Sequence, residues 1–152
     1  MYNKTKSFGD KNMGVADLLL GSKGFKDLNQ SDIDAFNSIC TEESFKAGET
    51  IFQEESPGDK MFIIKTGSVK ILKKVKGEEN TLAVLNPGEF FGEMALLDGL
   101  PRSAAAKANT DTTVLTITRD NYNSLRQKYP PIALKIIDIL TKVLSNRLRQ
   151  AN

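Results

Sequence analysis

The sequence predicts a mainly β domain, an antiparallel sandwich or barrel with helices on either side. Between Phe45 and Glu93, short β-rich runs are cut by turn signals about every 8 to 12 residues, as in antiparallel sheets. Before this region, apolar residues recur at helical spacing, and two prolines after it open a long apolar helix. The 152 residues fit one domain that buries roughly two thirds of its unfolded surface.

The first elements are predicted from the residues that precede the β-rich region. Residues 1–14 are polar and contain glycine, which predicts a flexible tail, and "VADLLLG" after them is one or two helical turns. A short amphipathic helix follows, with Ser31 as its N-cap and Asp34 as its third residue. Its apolar positions, spaced by three and four, are Leu28, Ile33, Phe36, Ile39 and Cys40.

The β-rich region and the helices after it come next. In "SVKILKKVKG" the alternation places Val69, Ile71 and Val75 on one face of a strand. The lysines on its other face, at positions 70, 74 and 76, favour a solvated strand face over a nucleic-acid patch. "DTTVLTITRD" is one more strand, and Thr118 or Asp120 introduces a short helix.

The last predicted element is a long helix that begins at Pro130 and Pro131. Its apolar residues cover more than one stripe, so one face packs on the β-structure and another is available to a partner or acts as a lid. The chain therefore divides into a tail (1–14), a β-domain with an N-terminal helical segment (15–129) and a C-terminal helix (130–152).

Composition excludes several classes of function. The chain has no histidine and one cysteine, which removes Ser/His and Cys/His catalysis and the usual zinc sites. We therefore expect no enzyme, no catalytic residue, no metal and no cofactor. Cys40 lies in an apolar pattern and is expected to be a packed thiol.

Charge and targeting signals set the expected location and partners. A net charge of +2, spread along the chain, does not favour direct DNA binding. The N-terminal stretch lacks the apolar core of a signal peptide and no apolar run is long enough to cross a bilayer. The sequence predicts a cytoplasmic protein that does not contact a membrane.

The stretch "GEFFGEMALLDGLPRSAAAKA", residues 88–108, combines features of a phosphate site. A glycine precedes a predicted helical turn, whose first amides have no internal acceptor. Arg102 offers a fork of donors to phosphate oxygens, and Glu93 is an acceptor suited to a sugar hydroxyl. Alternatively, Glu93 and Arg102 simply pair with each other and the glycines only form turns.

This stretch resembles the phosphate-binding cassette of the cyclic nucleotide-binding domain family, which includes bacterial catabolite activator proteins, protein kinase A regulatory subunits and cyclic nucleotide-gated channels. The matching residues are Phe91, Gly92, Glu93, Met94, Ala95, Leu96, Leu97, Pro101, Arg102, Ser103 and Ala104. The likeness extends over roughly residues 25 to 150. It implies an eight-stranded antiparallel jelly-roll β-barrel, or double-stranded β-helix, that binds cAMP or cGMP and is flanked by helices.

The resemblance also implies a role for each matching residue. Arg102 would pair with the cyclic phosphate, and Ser103 and the Ala104 backbone would add donors. Glu93 would accept from the ribose 2′-hydroxyl, and Phe91, Gly92 and the amides of Met94 and Ala95 would lie nearby. Ile71, Leu82 and Leu85 would line the base pocket, and Ala83 stands where some members have a hydroxyl. Arg147 would reach the purine or link the ligand to the helix, although a solvated helix-end cation fits the same position.

The predicted function is therefore a cyclic nucleotide sensor that moves its C-terminal helix about a hinge near residues 129–131. Serine at position 103, where threonine favours cGMP in parts of the family, makes cAMP the preferred ligand. The output would be a protein partner or a homodimer formed through the C-terminal helix. The alternatives are a structural or dimerisation module with a degenerate pocket and a cupin-like enzyme. The absence of histidine argues against the enzyme.

Overall fold

A computed structural model of the protein describes residues 29–151. The predicted tail, the helical turns of "VADLLLG" and Leu28 lie outside the described residues. Within this range the chain forms helices and strands with the following bounds: α1 (Gln30–Asn37), β1 (Thr41–Phe45), β2 (Thr50–Phe52), β3 (Lys60–Thr66), β4 (Val69–Val75), β5 (Glu78–Leu85), β6 (Phe90–Phe91), α2 (Met94–Leu97), β7 (Ala105–Ala108), β8 (Thr112–Thr118), α3 (Arg119–Lys128) and α4 (Pro130–Ala151).

The strands form two four-stranded antiparallel sheets, in the orders β1-β8-β3-β6 and β2-β7-β4-β5. The predicted class, mainly antiparallel β with flanking helices, is confirmed. The predicted barrel is not closed, because within the described residues no strand pairs across from one sheet to the other. The edge strands β2 and β6 have three and two residues, too short to bridge the sheets. The sheets instead pack face to face.

Strand β3 lies at the centre of the molecule and is buried on both faces. Phe62 and Ile64 point into the space between the sheets. Met61 and Ile63 point to the opposite face, where they pack against the helices. Because successive strand residues alternate in direction, the uninterrupted apolar run "MFII" is what a strand between two apolar layers requires.

The N-cap of helix α1 is Asn29, two residues before the cap predicted at Ser31. The Asn29 side chain accepts from the Asp32 amide at 2.8 Å, and the Asp32 carboxylate accepts from the Asn29 amide at 3.2 Å. This reciprocal capping box replaces the predicted Ser31 and Asp34 arrangement. Asp32 also pairs with Lys135 of α4 at 2.9 Å, which ties the first described helix to the last.

The end of β4 extends beyond the strand β7. Val69 is fully buried, but Val75 is 50% exposed. β4 pairs with β7 only from Val69 to Leu72, and the residues after Leu72 are exposed and pair with β5. The register shift beside Ile71 places its extra residue, Leu82, on β5, so the alternation along β4 continues and the face predicted for Val75 stays a prediction.

Helices α3 and α4 pack together beside the β1-β8-β3-β6 sheet. Thr118 caps α3 by accepting from the Asn121 amide, as predicted, and α4 begins at Pro130, also as predicted. The Tyr122 hydroxyl of α3 donates to the Ala133 carbonyl of α4 at 3.0 Å. The first half of α4 supplies core residues, namely Ile132, Ala133, Ile136 and Leu140. None of the described helices is long and apolar enough to span a membrane.

Candidate functional site

The candidate site is built on residues 91–104, named here the cassette, which join β6 to the strand β7. Gly92 adopts a φ of 70°, in the left-handed region that favours glycine. A Cβ at Gly92 would lie 2.7 Å from Nη1 of Arg102, so the backbone needs glycine for the guanidinium to approach. The predicted helical turn, α2, follows at once and has Glu93 as its N-cap residue.

A cavity of about 400 Å³ opens between the cassette, the strands β4 and β5, and α4. The structure brings together on its walls all of the predicted binding residues: Ile71, Leu82, Ala83, Leu85, Phe91, Gly92, Glu93, Met94, Ala95, Arg102, Ser103, Ala104 and Arg147. Four further residues line it that the predicted set did not contain: Phe52, Asp98, Leu100 and Pro101. Of these four, Pro101 is the residue that belongs to the motif by which the sequence resembles the family.

Arg102 is held deep in the wall, with 7% of its surface exposed. Its Nη1 donates to the Gly92 carbonyl at 3.1 Å and its Nη2 donates to the Lys60 carbonyl at 2.7 Å. The guanidinium lies 4.1 Å above the centre of the Phe52 ring. Its buried Nε has no acceptor in the part of the chain that the structure describes. Two carbonyls and a ring therefore orient this cation without neutralising it.

The charge of Arg102 has no ion-pair partner among residues 29–151. Burial lowers the pKa of its guanidinium, the charges of Asp59 and Glu93 act in the opposite direction, and that of Arg119 adds to the lowering. A buried cation that lacks a bonded anion is costly in a folded protein unless an anion joins it. The geometry therefore suits a bound anion.

Glu93 pairs with Arg147, and not with Arg102 as the simpler interpretation of the sequence held. Nη1 of Arg147 donates to Oε1 of Glu93 at 2.6 Å, and the Glu93 side chain is 7% exposed. Nη2 of Arg147 donates to the Phe90 carbonyl, also at 2.6 Å. Arg147 is therefore not a solvated cation at the helix end: it bonds α4 to the cassette.

The remaining walls divide into apolar and backbone surfaces. Ile71 and Ala83 are paired residues of β4 and β5, and Leu85 closes the inner end of this apolar wall. Leu82 is 58% exposed at the rim. On the cassette side, the Ala95 amide donates to the Gly92 carbonyl at 3.2 Å, so this amide, expected at the start of the turn to have no internal acceptor, has one.

These groups match the parts of a compact nucleotide. The unneutralised cation suits a phosphate, a carboxylate suits a sugar hydroxyl, and the apolar wall suits a planar base. The sequence profile of the family described as the cyclic nucleotide-binding domain matches residues 42–129. The chain belongs to the cyclic nucleotide-binding domain family.

Relatives of this cyclic nucleotide-binding domain include regulatory proteins. The chain is 35% identical over 133 residues to the cyclic AMP receptor protein of Thermus thermophilus, covering 87% of this chain and 60% of that protein. Among solved structures, a cyclic nucleotide-binding domain from Methylobacillus flagellatus is similar with a TM-score of 0.82 and 26% identity, covering 90% of this chain and 77% of that one. The regulatory domain of Toxoplasma gondii PKA, crystallised with cAMP, gives a TM-score of 0.66 and 27% identity, with coverages of 72% and 42%.

The chain matches only part of the length of its curated relatives. This cyclic nucleotide-binding domain spans 60% of the Thermus receptor and 56% of a similar regulator from Mycobacterium tuberculosis, less than two thirds of either. The likeness to the solved cyclic nucleotide-binding domain from Methylobacillus flagellatus confirms the jelly-roll fold that the resemblance of the cassette implied.

Proposed function

We propose that this domain binds cAMP in the cavity and transmits binding through α4. The observation that carries the proposal is the state of Arg102, a buried guanidinium oriented by carbonyls, with an Nε that has no acceptor and no ion pair within residues 29–151. A cyclic phosphate would supply the missing charge. The ribose 2′-hydroxyl would donate to Glu93, and the purine would lie against the β4 and β5 wall.

The proposed preference for cAMP over cGMP rests on the residue at position 103 and on the compared proteins. Ser103 stands where threonine favours cGMP in parts of the family, and two of the compared proteins are named for, or crystallised with, cAMP. In this structure the Ser103 carbonyl accepts from Nζ of Lys73 at 2.8 Å, which fixes the backbone at this position. A side-by-side titration with both nucleotides tests the preference.

The movement of α4 would follow from the shared use of Glu93. The carboxylate that Arg147 bonds is the one to which a ribose hydroxyl would donate. Ligand binding would therefore change the contact that joins α4 to the cassette. A ligand shifts a helix position only by its differential affinity for the two positions, which is typically about 1 to 3 kcal/mol.

The partner of the domain would bind the outer face of α4. Leu134 and Leu148 on this helix are 63% and 67% exposed. Exposed leucines on one helix suit a second copy of the chain or another protein. Sedimentation with and without cAMP distinguishes a homodimer from a monomer that awaits a different partner.

Calorimetry tests the proposed ligand directly. We expect Arg102→Ala to weaken cAMP binding by at least about 2 kcal/mol, roughly thirtyfold, because the phosphate loses its counter-charge. Arg126→Ala is the matched control, since Arg126 is exposed on α3 and does not line the cavity. Equal affinity for cAMP in the wild-type protein and in Arg102→Ala would refute the assignment of the phosphate site. A wild-type protein whose melting temperature never moves with either nucleotide would favour the module with a degenerate pocket.

A further inference from the structure

We propose that Arg119 is a positioning residue for the anion end of the cavity, because it bonds the cassette to the segment of residues 58–60. The inference rests on the proposed function. Arg119 does not line the cavity, and it lies outside the motif by which the cassette resembles its family.

Three hydrogen bonds place Arg119 between the two segments. Its Nε donates to the Ala95 carbonyl in the helical turn α2 at 2.7 Å. Its Nη2 donates to the Gly58 carbonyl at 2.6 Å, and its backbone amide donates to the Asp59 carbonyl at 2.8 Å. A single residue at the start of α3 therefore holds both the cassette and the loop before β3.

Arg102 bridges the same two segments in the same manner. It donates to the Gly92 carbonyl of the cassette and to the Lys60 carbonyl after the loop. The guanidinium groups of Arg102 and Arg119 thus form two cross-links between these segments, of which the Arg102 cross-link lines the cavity and the Arg119 cross-link does not. The Gly92 and Lys60 carbonyls orient Arg102. Loss of the Arg119 cross-link would allow the backbone segments that carry these two carbonyls to move.

The backbone at Gly99 is shaped around the Arg119 guanidinium. Gly99 has a φ of +67°, and a Cβ there would lie 2.5 to 2.7 Å from three guanidinium atoms of Arg119. A methyl group at this position would have to displace the guanidinium. The Arg119 charge is also close enough to Arg102 to add to the lowering of its pKa that burial causes, so both cations contribute positive potential at the anion end.

The effect of Arg119 on affinity would arise through geometry. A planar fork reaches two carbonyls at once, whereas a lysine ammonium is a point donor on a flexible stem. If the Arg102 guanidinium moves by a fraction of an ångström, its N–H donors no longer align with the phosphate oxygens. Displacements of this size commonly lower affinity or rate by about tenfold or more.

Calorimetry with cAMP on the full chain tests the proposal at a temperature where thermal denaturation shows each variant folded. We expect Arg119→Ala and Arg119→Lys both to bind cAMP roughly tenfold more weakly than the wild type. Arg126→Ala, which removes an exposed arginine from the same helix, should bind as the wild type does. A role confined to stability would lower the melting temperature of Arg119→Ala and leave its affinity unchanged, which would overturn the proposal. Full recovery of affinity in Arg119→Lys would also overturn it, since the charge alone would then suffice.

A second variant keeps the test decisive if Arg119→Ala does not fold. Gly99→Ala places a methyl group against the guanidinium, and we expect it to weaken cAMP binding by several-fold. In a folded Arg119→Ala background, the same change should not weaken binding further, because the group it displaces is gone. A folded Gly99→Ala that binds cAMP like the wild type would overturn the inference alone. A wild-type protein that binds neither cAMP nor cGMP would overturn the proposed function, and this inference with it.

Discussion

Arg147 and Glu93, which lie 54 positions apart in the sequence, are joined by a hydrogen bond of 2.6 Å. The second amino group of Arg147 bonds the Phe90 carbonyl, and its guanidinium lies 5.3 Å from the centre of the Phe90 ring. Arg147 therefore attaches the last turns of α4 to the cassette and to β6. The carboxylate that receives it is the best candidate in the cavity for a sugar hydroxyl.

Arg147→Gln should release the end of α4 from the cassette. The Arg147 side chain is 36% exposed and solvent screens the pair, so we expect a loss of about 1 kcal/mol, appearing as faster amide hydrogen exchange in residues 140–151. Arg149→Gln is the control, because Arg149 is exposed on the same helix end. Exchange that is equally fast in the wild type and in Arg147→Gln would mean that the pair does not restrain the helix.

Gly92→Ala should weaken cAMP binding by about tenfold or more. The added methyl group would lie 2.7 Å from Nη1 of Arg102, at a φ that alanine rarely adopts. Gly77→Ala separates the two effects, because Gly77 has a φ of +82° but no atom of residues 29–151 lies within 4 Å of the added Cβ. Both variants should lose about 1 kcal/mol of stability to backbone strain, and titration calorimetry should show weaker binding only in Gly92→Ala. Equal affinities would show that Arg102 yields to the methyl group without cost.

The composition of the cavity could be predicted because its residues are close in sequence or fixed by a motif. Residues 91–104 contain both Arg102 and Glu93. Because this segment is short, it brings both side chains to the same cavity. What could not be predicted was how those charges are satisfied. The partner of Glu93 is on α4, and the acceptors of Arg102 are backbone carbonyls, which no side-chain pattern records.

Alternation along a strand did not predict where its burial ends. β4 continues past its pairing with β7 after Leu72, so Val75 is exposed, although the turn signals around the strand were interpreted correctly. The N-cap of α1 is Asn29 and not Ser31. Ser31 with Asp34 and Asn29 with Asp32 have the same capping-box spacing, and in the structure Asn29 and Asp32 make both capping hydrogen bonds. Arg119 was not anticipated as more than a helix residue, since its partners Ala95 and Gly58 are distant in sequence and have no polar side chain.

Cys40 should be unreactive in the folded protein. Burial raises the pKa of its thiol to about 12, and its Sγ lies 3.3 Å from the Phe36 carbonyl, to which it donates. The thiolate is the nucleophile, so at about pH 8 only about one thiol in ten thousand is reactive. We expect alkylation by iodoacetamide to be negligible in the native protein and fast in concentrated urea, with mass spectrometry as the measurement. Rapid native alkylation would show that this part of the helical core opens readily.

Asp32→Asn should reduce stability at neutral pH and have little effect in acid. The bond from Lys135 is the main cause that lowers the pKa of Asp32, with a further contribution from the Asn29 amide. A carboxyl whose pKa is lowered on folding adds stability above its unfolded pKa of about 3.9, and this stability is lost as the pH falls through the folded value. Asparagine keeps an acceptor for the Asn29 amide and removes only the charge.

The expected difference between the wild type and Asp32→Asn is about 1 kcal/mol at neutral pH, because Lys135 is 40% exposed and solvent screens the pair. It should shrink towards zero below about pH 3. Urea unfolding at a series of pH values measures it, with Asp34→Asn as the control, an exposed carboxyl on the same helix. A difference that stays constant across the series would assign the stability to the capping hydrogen bond rather than to the charge that joins α1 to α4.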